Sequence, residues 1–352
     1  MNRLSLISKL DLASKSLGSN ALFPAFQCFK FAGSLDVFAS NGSSSVLVPL
    51  ESDGNVLDIT VPAHSFLDLL KGLKTEDVSL VQKGKKLFVR SGTIKGKFSA
   101  FESGGALRIP KYNKEKWDKV NLDVIAGVLS ASFAASTFET GGVLRGIYIN
   151  GDQVCATDKF RAVRYHLKKP VSYDAIVPPK FVNIISGVKD KVELWHVNIK
   201  KRMLYVTLDD GSVLSSLLYE GDYPSFDEIF PDTKKEGMVL LKFKDDFVES
   251  SKRHSRFLKD VRPIDKEMVV RVEKGNCTTM TSHDVLGRLK EKVSLGKGSV
   301  IRRPFRFVIN PDYIKDINSS SFYYSATRGM IFLKTKSFEY VALTKREGKK
   351  ND

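Results

Sequence analysis

Cysteine is scarce in this chain: Cys28, Cys155 and Cys277 stand more than a hundred residues apart and form no Cys-x-x-Cys pair. That spacing argues against a zinc site and against a disulfide frame, and fits a reduced, cytoplasmic protein. The five histidines (His64, His166, His196, His254, His283) show no metal-ligand spacing, so no metal or other cofactor is expected. No apolar run approaches the ~20 residues needed to cross a bilayer. The first ten residues break their apolar pattern with Lys9, followed by Asp11, and lack a signal-peptide core. Gly296-Lys297-Gly298-Ser299 resembles a phosphate loop, but Glu291 stands where a P-loop has its first glycine. Asp209-Asp210 precedes Gly211 in a turn context, where aspartate is favoured for backbone reasons. With no catalytic constellation, the expectation is a protein that is not an enzyme.

What is present is ample material for folded cores: 352 residues, 42% apolar and 27% charged, enough for two or three domains. The charge is one-sided, with 56 Lys and Arg against 40 Asp and Glu, a net +16. Such an excess points to a polyanion partner, because clustered cations release counterions from phosphates. It is uneven along the chain. Residues 1–119 carry +6 (17 basic, 11 acidic), residues 120–236 carry −1 (14 and 15), and residues 237–352 carry +11 (25 and 14).

Those thirds are also a repeat. Each opens with an amphipathic helix candidate: Leu4 to Leu17, with Leu4, Ile7, Leu10 and Leu17 as its stripe; Leu122 to Ala135; and Phe243 to Phe257, whose stripe Lys252, Arg253 and His254 interrupt. A hairpin follows each, turning at Gly33-Ser34, at Asn150-Gly151 and at Lys274-Gly275, 118 and then 124 residues apart. A β-rich run that ends in a helix start recurs next, at Ile59 to Leu67, Ala175 to Val182 and Phe307 to Ile314. Closing hairpins lie around Lys83-Gly84, Lys200-Lys201 and Arg328-Gly329. The expected fold class is α+β, in three tandem domains of two similar halves each. The joins fall at Glu102 to Val120 and Pro231 to Gly237.

At this point the residues resemble a family. Val154-Cys155-Ala156-Thr157-Asp158-Lys159-Phe160-Arg161-Ala162-Val163 is similar to the Ala-Thr-Asp-Gly-His-Arg-Leu-Ala segment of the bacterial DNA polymerase III β subunit, the sliding clamp. Glu220 to Phe226 with Ile229-Phe230-Pro231, Ile309 to Ile314, and Val89 to Gly92 match further family segments in family order. The divergence would suit a phage or other mobile-element version. The resemblance implies three DNA-clamp domains, each of two β-α-β-β-β halves, with helices lining a central hole and sheets outside. It implies a head-to-tail homodimer ring around double-stranded DNA, serving DNA polymerase and clamp loader as a processivity factor, without a membrane partner.

Two sets of site residues follow from that resemblance. Helices facing the hole should offer scattered cations to phosphates, since tight or base-specific contacts would stop sliding. The candidates are Lys9, Lys15, Lys71, Lys74, Lys180, Lys189, Lys252, Arg253, Arg256 and Lys315, each also readable as a solvated surface residue. The family's groove for short Leu/Phe-bearing peptides, between the second and third domains, maps to Leu144, Thr157, Arg161, Ala162, Pro231, Asn310, Tyr313 and Leu343. Leu144, Ala162 and Leu343 also fit a plain core role. Lys159-Phe160 replaces the family's Gly-His, and an extra basic tail, Arg346 to Asp352, follows the last strand. The family's DNA-touching Arg and Tyr fall on Gly141, Gly142 and Val143, so those contacts are missing.

At the family's dimer seam, this sequence has Lys252 and Arg253 facing a last strand of the first domain near Leu107-Arg108-Ile109. Two basic outer domains repel, so a dimer that strengthens with salt or DNA is expected. Two other readings remain: a basic monomeric processivity factor holding DNA by charge alone, and a DNA-modifying enzyme with an unrecognised site.

Overall fold

The computed structural model describes residues 1–352 except 20–21, 34–35, 52–55, 104, 114–116, 233–236, 244–245, 300, 318 and 346–352. The expected turn residue Ser34, the linker segment 233–236 and the tail Arg346 to Asp352 therefore lie outside the described residues. The chain divides into two compact units, residues 1–129 with 172–221, and residues 130–171 with 222–352.

In the first unit, helix α1 (Arg3–Ser14) begins where the Asn2 side chain accepts the backbone N–H groups of Leu4 and Ser5, each at 3.0 Å. That cap satisfies two of the donors that open a helix. The buried stripe is Leu6, Leu10, Ala13 and Leu17, and Leu4 is 62% exposed. The expected stripe through Leu4 and Ile7 is thus displaced: a segment dense in leucine offers two apolar stripes, and tertiary packing selects one. Helix α2 (Ala63–Gly72) follows Pro62, burying Phe66, Leu67 and Leu70. Phe66 meets Phe31 and Phe98 edge-on.

These helices accompany two antiparallel sheets. The larger runs Ile59–Pro62, Cys28–Ala32, Asp36–Ser40, Ser44–Pro49, Val213–Leu217, Met203–Leu208, Val192–Asn198 and Asp118–Lys119. Its halves come from the first and second sequence copies and meet where Val213 pairs with Leu47, beside a 2.7 Å hydroxyl bond between Ser45 and Ser215. The smaller sheet is Ser79–Lys83, Lys86–Ser91 and Ile94–Ser99. Leu107 to Ile109, expected as a strand, is not one; Leu107 is fully buried beside Cys28 and Phe38. Ile94–Ser99 is one of the two edge strands of the small sheet. Helix α3 (Leu122–Ala131) buries Val124, Ile125 and Val128 as its periodicity predicts, and α4 (Pro179–Ser186) buries Phe181, Val182, Ile184 and Ile185.

In the second unit one sheet contains Ile147–Asn150, Gln153–Thr157, Arg161–His166, Phe338–Leu343, Met330–Lys334, Ser321–Ser325 and Val239–Lys242 in that order. Second-copy and third-copy strands again join, through Ala162 opposite Val341. The first hairpin turns on Gly151-Asp152, one residue later than expected, with Gly151 at φ +54°. The other sheet is Gly287–Ser294, Asn276–His283, Met268–Glu273 and Phe305–Ile309, with its turn at Lys274-Gly275 as expected.

Helix α5 (Asp246–Phe257) covers that sheet and explains its interrupted stripe: its buried face is Phe247, Ser250, Ser251, His254 and Ser255. Ser250 bonds Thr279 at 2.8 Å, while the His254 ring bonds Thr281 at 2.8 Å and Thr279 at 3.1 Å. A polar network replaces apolar packing there. The short helix α6 (Asp312–Lys315) packs against α5.

Candidate functional site

The second unit places several of the expected groove residues around one turn. Strands Gln153–Thr157 and Arg161–His166 are joined by Asp158-Lys159-Phe160. The Asp158 carboxylate accepts the N–H groups of Phe160 and Arg161, both at 2.9 Å, and the Arg161 Nε at 3.0 Å. Thr157 Oγ1 donates to the Arg161 carbonyl at 2.7 Å and accepts from Lys159 N at 3.1 Å. Held in this way, Lys159 adopts φ +76°, the left-handed conformation in which a side chain is strained.

The turn delivers Arg161 into an aromatic slot. Its guanidinium lies 5.6 Å from the ring centre of Phe133 and 5.2 Å from that of Tyr313. Its Nη1 donates to the Asp312 carbonyl at 3.3 Å and stands 3.8 Å from the Asp316 carboxylate. Burial pushes the Tyr313 phenol up to about 12, and the Tyr313 carbonyl accepts from the Tyr340 hydroxyl at 2.6 Å. Asn310 accepts from Asp312 N at 2.9 Å and donates to the Pro263 carbonyl at 2.7 Å. Burial raises the Asp312 carboxyl, but hydrogen bonds from Ser255, Lys315 and Lys266 outweigh it, so its pKa is lowered.

Above these residues opens a cleft of about 180 Å³, with Arg161, Asn310 and Tyr313 among its lining and Phe138, Phe160, Pro263 and Ile264 as its apolar wall. Of the eight expected groove residues, those three share the cleft. Thr157 braces Arg161 from below, and Leu343, 39% exposed, donates its N–H to the Phe160 carbonyl at 2.8 Å. Leu144 and Ala162 are buried and do not line the cleft; Ala162 packs with Cys155, Phe226, Met330 and Val341. Pro231 is likewise buried. Phe138 and Ile264 escaped the sequence reading, although each is a bulky apolar residue isolated in a polar stretch, 42% and 51% exposed. Phe160, a departure from the family pattern in this turn, forms part of the wall.

The candidate cations divide into engaged and exposed groups. In the first unit, Lys9 donates to the Pro49 carbonyl at 2.5 Å, and Lys71 pairs with Asp11 at 2.8 Å. Lys180 donates to the Leu17 carbonyl at 3.1 Å, and burial lowers its pKa. In the second, Lys252 pairs with Glu249, Arg253 with Glu291 (both pairs at 2.6 Å), and Lys315 with Asp312 at 2.9 Å. Lys15, which lies against Gly187, is exposed, as are Lys74, Lys189 and Arg256. Among the described residues no group of three or more His, Cys, Asp or Glu is placed to hold a metal, and no helix is long and apolar enough to cross a membrane.

No sequence-family model and no curated protein sequence matches the chain. Solved structures do. The β subunit of DNA polymerase from Streptococcus pyogenes superposes with a TM-score of 0.82 at 15% identity, over 98% of this chain and 99% of that one. The DNA polymerase sliding clamp of Caulobacter crescentus gives 0.79 at 18% identity, over 98% of each chain. The DNA polymerase III β subunit of Thermotoga maritima gives 0.80 at 15% identity, over 99% of each. The chain thus has the fold of the bacterial sliding clamp over 98–99% of its length, as the sequence motifs led us to expect.

Proposed function

We propose that this protein is a divergent DNA sliding clamp: two copies join head to tail around duplex DNA and tether a replicative polymerase. The observation that supports this best is the end-to-end likeness, in which 98–99% of both chains superpose despite 15–18% identity. A clamp acts by topology, so it needs neither a catalytic centre nor base readout, and it raises polymerase processivity through effective concentration. In this reading the threefold division at 1–119, 120–236 and 237–352 marks the clamp domains, the protein works in the cytoplasm, and opening is driven by a separate loader.

The cleft beside Arg161 is the site for the polymerase and loader peptides. Phe138, Phe160 and Ile264 supply an apolar wall on which an aromatic or leucine anchor desolvates, and exposed apolar residues gathered at one concavity mark such contacts. The seam is reassigned from the Leu107 region to two sheet edges, Ile94–Ser99 of one copy and Gly287–Ser294 of the other, because an edge strand offers unpaired backbone groups. Both edges carry outward cations, Lys95 and Lys97 on one, Arg288, Lys290 and Lys292 on the other, so closure works against repulsion. Sedimentation across a salt series, with and without DNA, tests this: the dimer fraction should rise with salt and with DNA. A tight dimer at every salt removes the repulsive seam, and a monomer under all conditions favours the second reading, a basic monomeric factor, which the +16 charge supports.

A further inference from the structure

The charge excess of the last third has a location that the helices do not explain. Thr279, Thr281 and Glu291 face α5, through bonds to Ser250, His254 and Arg253. Side chains alternate along a strand, so Thr278, Met280, Lys290 and Lys292 lie on the opposite face of the four-stranded sheet. The pairing register extends that face: Lys292 opposes Thr278, Thr278 opposes Arg271, and Arg271 opposes Arg306. Arg288 continues the column of Lys290 and Lys292, and Glu273 is the carboxylate among these outward positions. Arg271, Arg288, Lys290, Lys292 and Arg306 are all exposed.

We propose that this outward sheet face is a second nucleic-acid surface, which holds the phosphate backbone of duplex DNA independently of the helix-borne cations. Charge density is the first reason. Five cations against one carboxylate repel each other, and a polyanion both relieves that repulsion and releases its own counterions. Spacing is the second: Arg288, Lys290 and Lys292 repeat every two residues, ~6.8 Å, twice the ~3.4 Å axial rise per nucleotide of one strand.

Chemistry of the remaining positions selects duplex over single strand. Outward neighbours are Thr278, Met280, Ser282, Val269 and Val308. No aromatic ring is among them: Phe305 and Phe307 share the opposite face with the buried Val272 and Val270. A single-strand surface uses aromatic platforms to stack bases, whereas a face of cations with small polar residues between them meets a continuous backbone. The first unit carries a related cationic face on its small sheet, though one that includes an aromatic ring. Phe98 meets Phe66 of α2, so alternation puts Arg90, opposite Lys95, on the outer side with Lys97, which there stands opposite Phe88.

The experiment uses the full-length protein and a linear 30-base-pair duplex, which slides off any ring and therefore reports this face whether or not a ring forms. In the wild type, amine acetylation read by mass spectrometry should show Lys290 and Lys292 slowed several-fold by the duplex, and Lys74 slowed less. The triple variant Arg271→Glu/Lys290→Glu/Lys292→Glu should bind the duplex at least about tenfold more weakly, with the log–log salt slope shallower by roughly two to three. Glutamine at the same three positions, with an unchanged melting temperature, should reproduce the direction if the glutamates disturb folding. Undiminished acetylation of Lys290 and Lys292 with duplex present would overturn the proposal. So would equal protection by poly-L-glutamate at matched charge, which would mark a surface for acidic protein segments.

Discussion

The Arg161 guanidinium lies over the Tyr313 ring, 5.2 Å from its centre, and the same arginine is held by Asp158 at 3.0 Å. The arginine is spent on the fold, since its side chain is only 11% exposed. In the proposed peptide site its part would be to shape the wall of the cleft. Arg161→Ala should therefore cost about 2–3 kcal/mol of stability, because Asp158 loses its partner and two rings lose their filler. Arg161→Lys should restore little, lacking the planar group that fills the slot. Urea melts, paired with anisotropy of a Leu/Phe-bearing peptide, separate the two effects.

Lys159 sits at φ +76° in the turn that presents Arg161. Glycine adopts that conformation without strain, so Lys159→Gly should stabilise the protein by about 0.5–1 kcal/mol. The check is a denaturant midpoint that rises with an unchanged slope; a fall would show that the lysine side chain does more than occupy a strained position.

Two buried groups set the acid limb of stability. Burial holds the His254 imidazole neutral, lowering its pKa from 6.5, so the unfolded chain binds the proton more readily. Stability should therefore decline as pH falls below about 6.5, and His254→Gln should flatten that first decline. Glu339, 2% exposed, would be raised by burial, but hydrogen bonds from Lys334, His166 and Arg164 hold it near 2, below its ordinary 4.5. Its contribution is complete above pH 4.5 and is lost as pH falls through 2. Thermal melts from pH 7 to pH 3 should show the His254 limb first, and Glu339→Gln should lose about 2–3 kcal/mol at pH 7.

The candidate cations should not be equal toward DNA. Lys74, Lys189 and Arg256 are exposed, so replacing each with alanine should weaken circular-DNA binding and flatten its salt dependence by about one unit. Lys9, bonded to the Pro49 carbonyl, should instead change stability and leave the salt slope alone. A titration series of the four variants at several salt concentrations distinguishes the groups.

The repeat was legible in the sequence because its signals are local. Gly33, Gly151 and Gly275 turn corresponding hairpins with φ of +61°, +54° and +80°, and each β-rich run does lead into a helix at Ala63, Pro179 and Asp312. What stayed hidden depended on long-range pairing. Leu4 and Leu6 are equivalent to a periodicity count, and packing alone makes the first exposed and the second buried. The α5 stripe failed to read as apolar because its core side is serine and histidine, satisfied by threonines more than twenty residues away. Phe138 and Ile264 approach each other only through the fold, and no spacing rule joins residues 126 positions apart. Outward-facing cations could be counted from the sequence, but their shared face required the strand register.

Topological retention tests the clamp reading most directly. Protein mixed with nicked circular plasmid, its seam then fixed by an amine cross-linker, is passed over a sizing column in 1 M salt before and after the plasmid is cut once. The prediction is co-elution with the circle and release on linearisation. Release from circle and linear DNA alike, or retention on both, would contradict a ring.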